Sequence, residues 1–173
     1  TGTHTLELTD ADDGEMLWSG EFEVEAPQWP GFVSTAVLYG VGETNLTVFS
    51  EDFSAPGERQ ARLRVFNAFD EPVSLQDAGS FGRVGDAVAL LSSIEPGEVS
   101  DPVLIDEGEY NSLRLMRPAE ETADDGDVSP YFSVRDRVFD RNTNTLFVVA
   151  SQEGTLLPNV TLTSERTMMP FGS

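Results

Sequence analysis

The sequence predicts an all-β chain built as an antiparallel sandwich, and three observations carry that prediction. Apolar residues recur at a period of two along most of the chain, the mark of strands with one face in a core and the other in water. Turn signals punctuate these runs at Asp13-Gly14, Gly40-Val41-Gly42, Pro56-Gly57, Pro96-Gly97, Glu107-Gly108 and Asp125-Gly126. No window carries an amphipathic helix of about three turns, and about a dozen short strands at this spacing fit a sandwich.

Taken in order, Leu6 and Leu8 alternate with Thr5, Glu7 and Thr9, and Phe22 and Val24 with Glu21, Glu23 and Glu25. Residues 33–39 are more continuously apolar, as expected of a central strand buried on both faces. Leu46 and Val48 flank Thr47, while Leu63 and Val65 alternate with Arg62 and Arg64. Leu113 and Leu115 flank Arg114, and Val134 stands between Ser133 and Arg135. Residues 145–150 form a second continuous apolar run, and Val160 and Leu162 alternate with Thr161 and Thr163.

The chain also repeats itself at a spacing of about 110 residues. Gly2-Thr3-His4-Thr5-Leu6-Glu7-Leu8 aligns with 108–115, with one residue inserted, and Asp12-Asp13-Gly14 recurs as Asp124-Asp125-Gly126. Thr35-Ala36-Val37-Leu38-Tyr39 recurs as Thr145-Leu146-Phe147-Val148-Val149, and Asn45-Leu46-Thr47 as Asn159-Val160-Thr161. Ser50-Glu51, closed by Pro56, recurs as Ser164-Glu165, closed by Pro170. The expectation is the second half of one sandwich unit over 1–57 and a complete unit over 58–173. The chain opens Thr1-Gly2-Thr3, with no basic leader region and no initiator Met, and reads as a mature or excised fragment.

At the start of the second unit, Ala61-Arg62-Leu63-Arg64-Val65-Phe66-Asn67-Ala68 resembles the opening strand of the bacterial domain-of-unknown-function family usually numbered DUF-forty-three-ninety-seven. Pro72-Val73-Ser74-Leu75 looks like its second strand and Ser80-Phe81-Gly82 like the step after it. Glu107-Gly108-Glu109-Tyr110 resembles its Gly-x-Tyr strand entry, and Asn144-Thr145-Leu146-Phe147-Val148-Val149 its penultimate strand. Where the family carries a Pro-rich loop after the first strand, this chain reads Phe69-Asp70-Glu71-Pro72. The resemblance implies an immunoglobulin-like sandwich, often in tandem, in secreted or cell-surface proteins. It brings no catalytic residues with it.

Composition narrows the chemistry. There are 31 acidic residues against 10 basic ones, a formal net charge of −21. The basic residues are all Arg, Cys is absent and His4 is the single histidine. This removes lysine Schiff bases, P-loop lysines, cysteine nucleophiles, disulfide frameworks and Cys-ligated metals. Nucleic acid is repelled by a field of this sign, and no apolar run approaches the ~20 residues that span a bilayer. No nucleic-acid partner and no membrane insertion are therefore expected.

Asp136, between Arg135 and Arg137, reads as an ion-paired or edge-strand carboxylate rather than a catalytic acid, and His4 as a core-edge ring. The chain is expected not to be an enzyme and to need no cofactor. Calcium is the one candidate ion, because Asp10, Asp12, Asp13 and Asp124, Asp125, Asp127 cluster hard oxygens. Neither cluster fits an EF-hand loop, and Asp-Gly is itself a hairpin-turn signal. Asn45-Leu46-Thr47 and Asn159-Val160-Thr161 match the glycosylation pattern, but their matched places in the repeat suggest strand architecture. Carbohydrate candidates are the aromatics Trp18, Trp29 and Phe32, the last two flanking Pro30-Gly31.

Charge is distributed unevenly, because every Arg lies at or beyond Arg59. Glu21, Glu23 and Glu25 in the first unit stand where Arg135 and Arg137 stand in the second, a candidate interaction pair between units or chains. A half-sandwich leaves edges and an apolar face open. Three arrangements would answer that need: packing on the second unit as one composite sheet, which is the expectation, a strand-exchanged homodimer, or a proteolytic cut that removed strands once present. The overall expectation is a non-catalytic extracytoplasmic module, structural or adhesive, whose partner is a protein or cell-surface component. The alternative is a carbohydrate- or calcium-binding module.

Overall fold

The computed structural model describes residues 2–24, 32–40, 44–52, 56–78, 88–116, 132–141, 143–151 and 158–166. These hold twelve strands: β1 (Gly2–Thr9), β2 (Met16–Val24), β3 (Phe32–Tyr39), β4 (Asn45–Asp52), β5 (Gln60–Ala68), β6 (Val73–Asp77), β7 (Val88–Ile94), β8 (Val103–Asp106), β9 (Gly108–Met116), β10 (Phe132–Phe139), β11 (Thr143–Ser151) and β12 (Pro158–Arg166). The chain is all-β, and it divides into two compact units, Thr1–Phe53 and Ser54–Ser173. Among the described residues no helix is long and apolar enough to cross a membrane.

The second unit contains two four-stranded sheets, ordered β10-β9-β6-β7 and β12-β11-β5-β8. Strand alternation turns one row of β5, namely Ala61, Leu63 and Val65, into a single core with Ile105 of β8 and Phe147 and Val149 of β11. The other sheet adds Val73 and Leu75 of β6, Ile94 of β7, Leu113 and Leu115 of β9, and Phe139 of β10. Phe139 meets Tyr110 and Phe147 edge to face, with ring centroids 5.3 and 6.3 Å apart. Among the described residues every strand pairing is antiparallel except that of β5 with β11, which runs parallel from Asn144↔Arg62 to Ala150↔Ala68. Periodicity reports which face is buried and not which way a neighbour runs, so this pair was invisible to the alternation pattern. Strands β7 and β8 lie at sheet edges and carry few buried positions, which is why alternation does not single them out.

The first unit consists of two hairpins. Strand β1 pairs with β2 from Gly2↔Val24 to Leu8↔Trp18, and β3 pairs with β4 from Phe32↔Asp52 to Tyr39↔Asn45. The expectation of a doubly buried central strand at 33–39 is corrected here. Among the described residues β3 pairs with β4 alone, and Ser34 and Ala36 are exposed. The same reading holds at 145–150, where β11 lies between β12 and β5 and Thr145, Leu146, Phe147 and Val149 are buried. An apolar run states what a strand could bury, and the neighbours supplied by the fold decide what it does bury. Among the first-unit residues whose side chains are described, none is buried.

The ladder of the first hairpin matches between units. The residue inserted in β9 relative to β1 is offset by one in β10. Gly2↔Val24 and Gly108↔Phe139 therefore form equivalent ends, as do Leu8↔Trp18 and Leu115↔Phe132. Strands β3 and β4 pair antiparallel as β11 and β12 do, but the second match differs by one residue from the sequence alignment. Tyr39 faces Asn45, whereas Val149 faces Val160 and Asn159 faces Ala150. A one-residue slip exchanges the faces of a strand, so Asn45 and Asn159 are not equivalent in the sheet.

Candidate functional site

The acidic hairpin between β1 and β2 is the candidate site with described geometry. Asp10 and Glu15 close the loop through Asp10 N–H donating to the Glu15 carbonyl at 2.8 Å, and Gly14 N–H donates to the Asp10 carbonyl at 3.0 Å. Gly14 has φ 74°, the left-handed conformation that lets the chain reverse into β2. Asp10 Oδ1 accepts from Asp12 N–H at 2.7 Å, and Asp13 Oδ1 accepts from Glu15 N–H at 2.9 Å. These are the self-capping turns that short Asp side chains form, so two of the three carboxylates already brace the loop's own backbone. Among the described residues, no three His, Asp or Glu side chains gather in a way that could hold a metal ion. Asp124, Asp125 and Asp127 lie outside the described residues.

The aromatic candidates divide similarly. Trp18 is half-buried, and its indole N–H donates to the Thr44 carbonyl at 3.1 Å, tying β2 to the start of β4. A Cβ at residue 20 would run into the Trp18 ring, so Gly20 makes the floor on which that ring lies. This engaged ring anchors the hairpins. Trp29 lies outside the described residues; Phe32 is in β3, but its side chain is outside what is described. His4 is exposed and stacks on Phe22 with centroids 5.8 Å apart.

One side of the candidate charge pair is described. Glu21 and Glu23 are exposed, paired opposite Thr5 and Thr3. Arg135 and Arg137 lie in β10 opposite Ser112 and Tyr110, with side chains outside what is described, as is that of Asp136; Glu25 also lies outside the described residues.

Two polar residues that were not candidates organise the second unit. Asn67 is fully buried: its Nδ2 donates to the carbonyls of Glu71 and Ile94, each at 2.9 Å, and its Oδ1 accepts from Phe69 N–H at 3.0 Å. Its backbone N–H donates to the Glu98 carbonyl at 2.9 Å and its carbonyl accepts from Gly97 N–H at 2.7 Å. The available signal was an amide following Val65-Phe66 inside a buried strand, a place where every polar group needs a partner. Tyr110 donates its hydroxyl to the Asp106 carbonyl at 3.2 Å. Burial, with the Asp106 and Asp77 carboxylates nearby, pushes its phenol above the ordinary value near 10. Compared with known proteins, the chain matches no protein-family model, and no curated protein matches it.

Proposed function

We propose that this chain is a non-catalytic β-sandwich module of a cell-surface or secreted protein, serving as a spacer or adhesive element. The observation that carries the reading is the use made of interior polar side chains. Besides Asn67, Ser74 Oγ donates to the Met116 carbonyl at 3.2 Å and Thr143 Oγ1 to the Asp140 carbonyl at 2.6 Å, while Ser100 Oγ accepts from Val65 N–H at 3.0 Å. Each holds backbone to backbone, which favours a rigid scaffold over a reacting centre. The shared ladder of the β1–β2 and β9–β10 hairpins supports a tandem array. The resemblance of 61–68 to tandem extracytoplasmic domains supports the setting.

We read the second unit as an immunoglobulin-like sandwich. Two sheets sharing one core favour it, as does the Tyr110 hydroxyl reaching back four residues to Asp106, which resembles a tyrosine corner. Protease shaving of intact producing cells tests the location, and removal of the chain without lysis is expected. Retention until lysis overturns it. Calorimetric titration with Ca²⁺ and with cell-surface oligosaccharides tests the role. No saturable heat is expected, and a saturable one replaces this reading with a binding module.

A further inference from the structure

The chain carries two four-strand sets, β1–β4 and β9–β12, whose first hairpins share one ladder, and one set, β5–β8, that closes such a group. In the second unit the closure is specific. Strand β5 lies parallel along β11, and β6 lies antiparallel along β9 from Ser74↔Met116 to Asp77↔Leu113. In the first unit the corresponding edges, on β3 and β1, have no strand beside them among the described residues. The corresponding apolar positions are also more exposed. Leu113 and Leu115 are each 1% exposed, whereas their counterpart Leu8 is 42% exposed and Leu6 is half-buried.

Among the described residues no strand supplies the missing set. The stretches of the first unit outside the described strands, 25–31 and 41–43 among them, are too short for four more strands of ordinary length. Exchanging the β5–β8 set between copies leaves the count unchanged, because two chains together bring two closing sets for four groups. From this imbalance and the shared first-hairpin ladder, we infer that the first unit is completed by a further polypeptide segment of the β5–β8 pattern, outside residues 1–173 and joined directly ahead of β1. The point of entry follows from the second unit, where Glu107 alone separates β8 from β9. Such a segment sets one strand parallel to β3 and one antiparallel to β1, with alternate apolar side chains over Leu6 and Leu8. Because it rests on strand pairing, the inference stands whether or not the functional reading does.

The test compares amide hydrogen exchange in the 173-residue chain with that in a chain carrying a second copy of residues 58–106 fused directly ahead of Thr1. Both are checked as monomers by light scattering, and β9 serves as the internal standard for an intact second unit. In the 173-residue monomer, β1 is expected to exchange at least about tenfold faster than β9, and fusion to slow β1 and β3 into the β9 range. Leu63→Asp with Leu75→Asp in the fused copy alone is expected to abolish that slowing. Protection of β1 equal to that of β9 in the unfused monomer overturns the inference. So does a fused copy that leaves β1 exchange unchanged while β9 stays protected. Where fusion itself costs β9 its protection, the same copy is added as a separate peptide and judged by the same two criteria.

Discussion

Asn67→Ala is the sharpest perturbation available in the second unit. It removes three hydrogen bonds of 2.9, 2.9 and 3.0 Å, those to the carbonyls of Glu71 and Ile94 and from the N–H of Phe69. A neutral hydrogen bond nets about 1 kcal/mol, and a buried group left unsatisfied costs about 1–3 kcal/mol. Removing three such bonds, partly offset by water entering the space left by the amide, puts the loss at about 3–5 kcal/mol. That is a large share of the ~5–15 kcal/mol by which domains are usually stable. Asn67→Asp separates bonding from volume, because it keeps the acceptor but turns an oxygen toward two carbonyls. It is expected to cost at least as much at neutral pH. Trp18 and Trp29 both lie within Thr1–Phe53, so tryptophan emission does not follow this unit. Urea unfolding is therefore read by far-UV circular dichroism, with amide exchange in β5 as the local measure. A loss under about 1 kcal/mol for Asn67→Ala, alongside the usual few kcal/mol for Val65→Ala, would refute the bracing role.

Three further outcomes are expected. The raised Tyr110 phenol keeps its proton in the folded chain after the unfolded chain has lost it, so its stabilisation is complete below about pH 10 and declines as pH rises through the folded value. Absorbance titration at alkaline pH should show a late tyrosine component that Tyr110→Phe removes, and an unchanged curve contradicts the assignment. Gly20→Ala should push the Trp18 ring off its floor and break its bond to Thr44, at about 1 kcal/mol. In a Trp29→Phe background this appears as a red shift in emission, and an unshifted spectrum argues against the placement. Arg59 adopts φ 61°, and its 2.7 Å ion pair with Glu107 comes from a side chain 74% exposed. The pair is therefore worth little against a left-handed backbone cost of about 1–2 kcal/mol. Arg59→Gly is expected to be neutral or to stabilise by up to about 1 kcal/mol in urea melts, and a loss above that would show the ion pair dominating.

Much of the strand pattern was legible because alternation is local. Leu63 and Val65 are core residues and Arg62 and Arg64 are not, as their spacing indicated. The Asp10–Glu15 loop was legible as a turn, and the turn's own hydrogen bonds account for Asp10 and Asp13. What escaped depends on distant partners. The Asn67 amide is explained by Ile94, 27 residues away, and the exposure of Ala36 by the strand that β3 lacks. Neither fact is written within the window in which periodicity operates.

The parallel pairing of β5 and β11 has a consequence for how the chain is made. Arg62 and its partner Asn144 stand 82 residues apart. At a synthesis rate of about 5–20 residues per second, β5 emerges roughly 4–16 s before the strand it lies against. During that interval one of the most buried strands has an unfilled side, and early docking of β8, with Asn67 tying the 69–71 turn and the end of β7, offers only partial cover. Final closure of the sheet therefore waits for nearly the whole unit, which sets a slow, high-contact-order step late in its biogenesis. A ribosome pause placed before Thr143 should leave nascent chains sensitive to protease throughout β5, with protection arriving only as β11 is released.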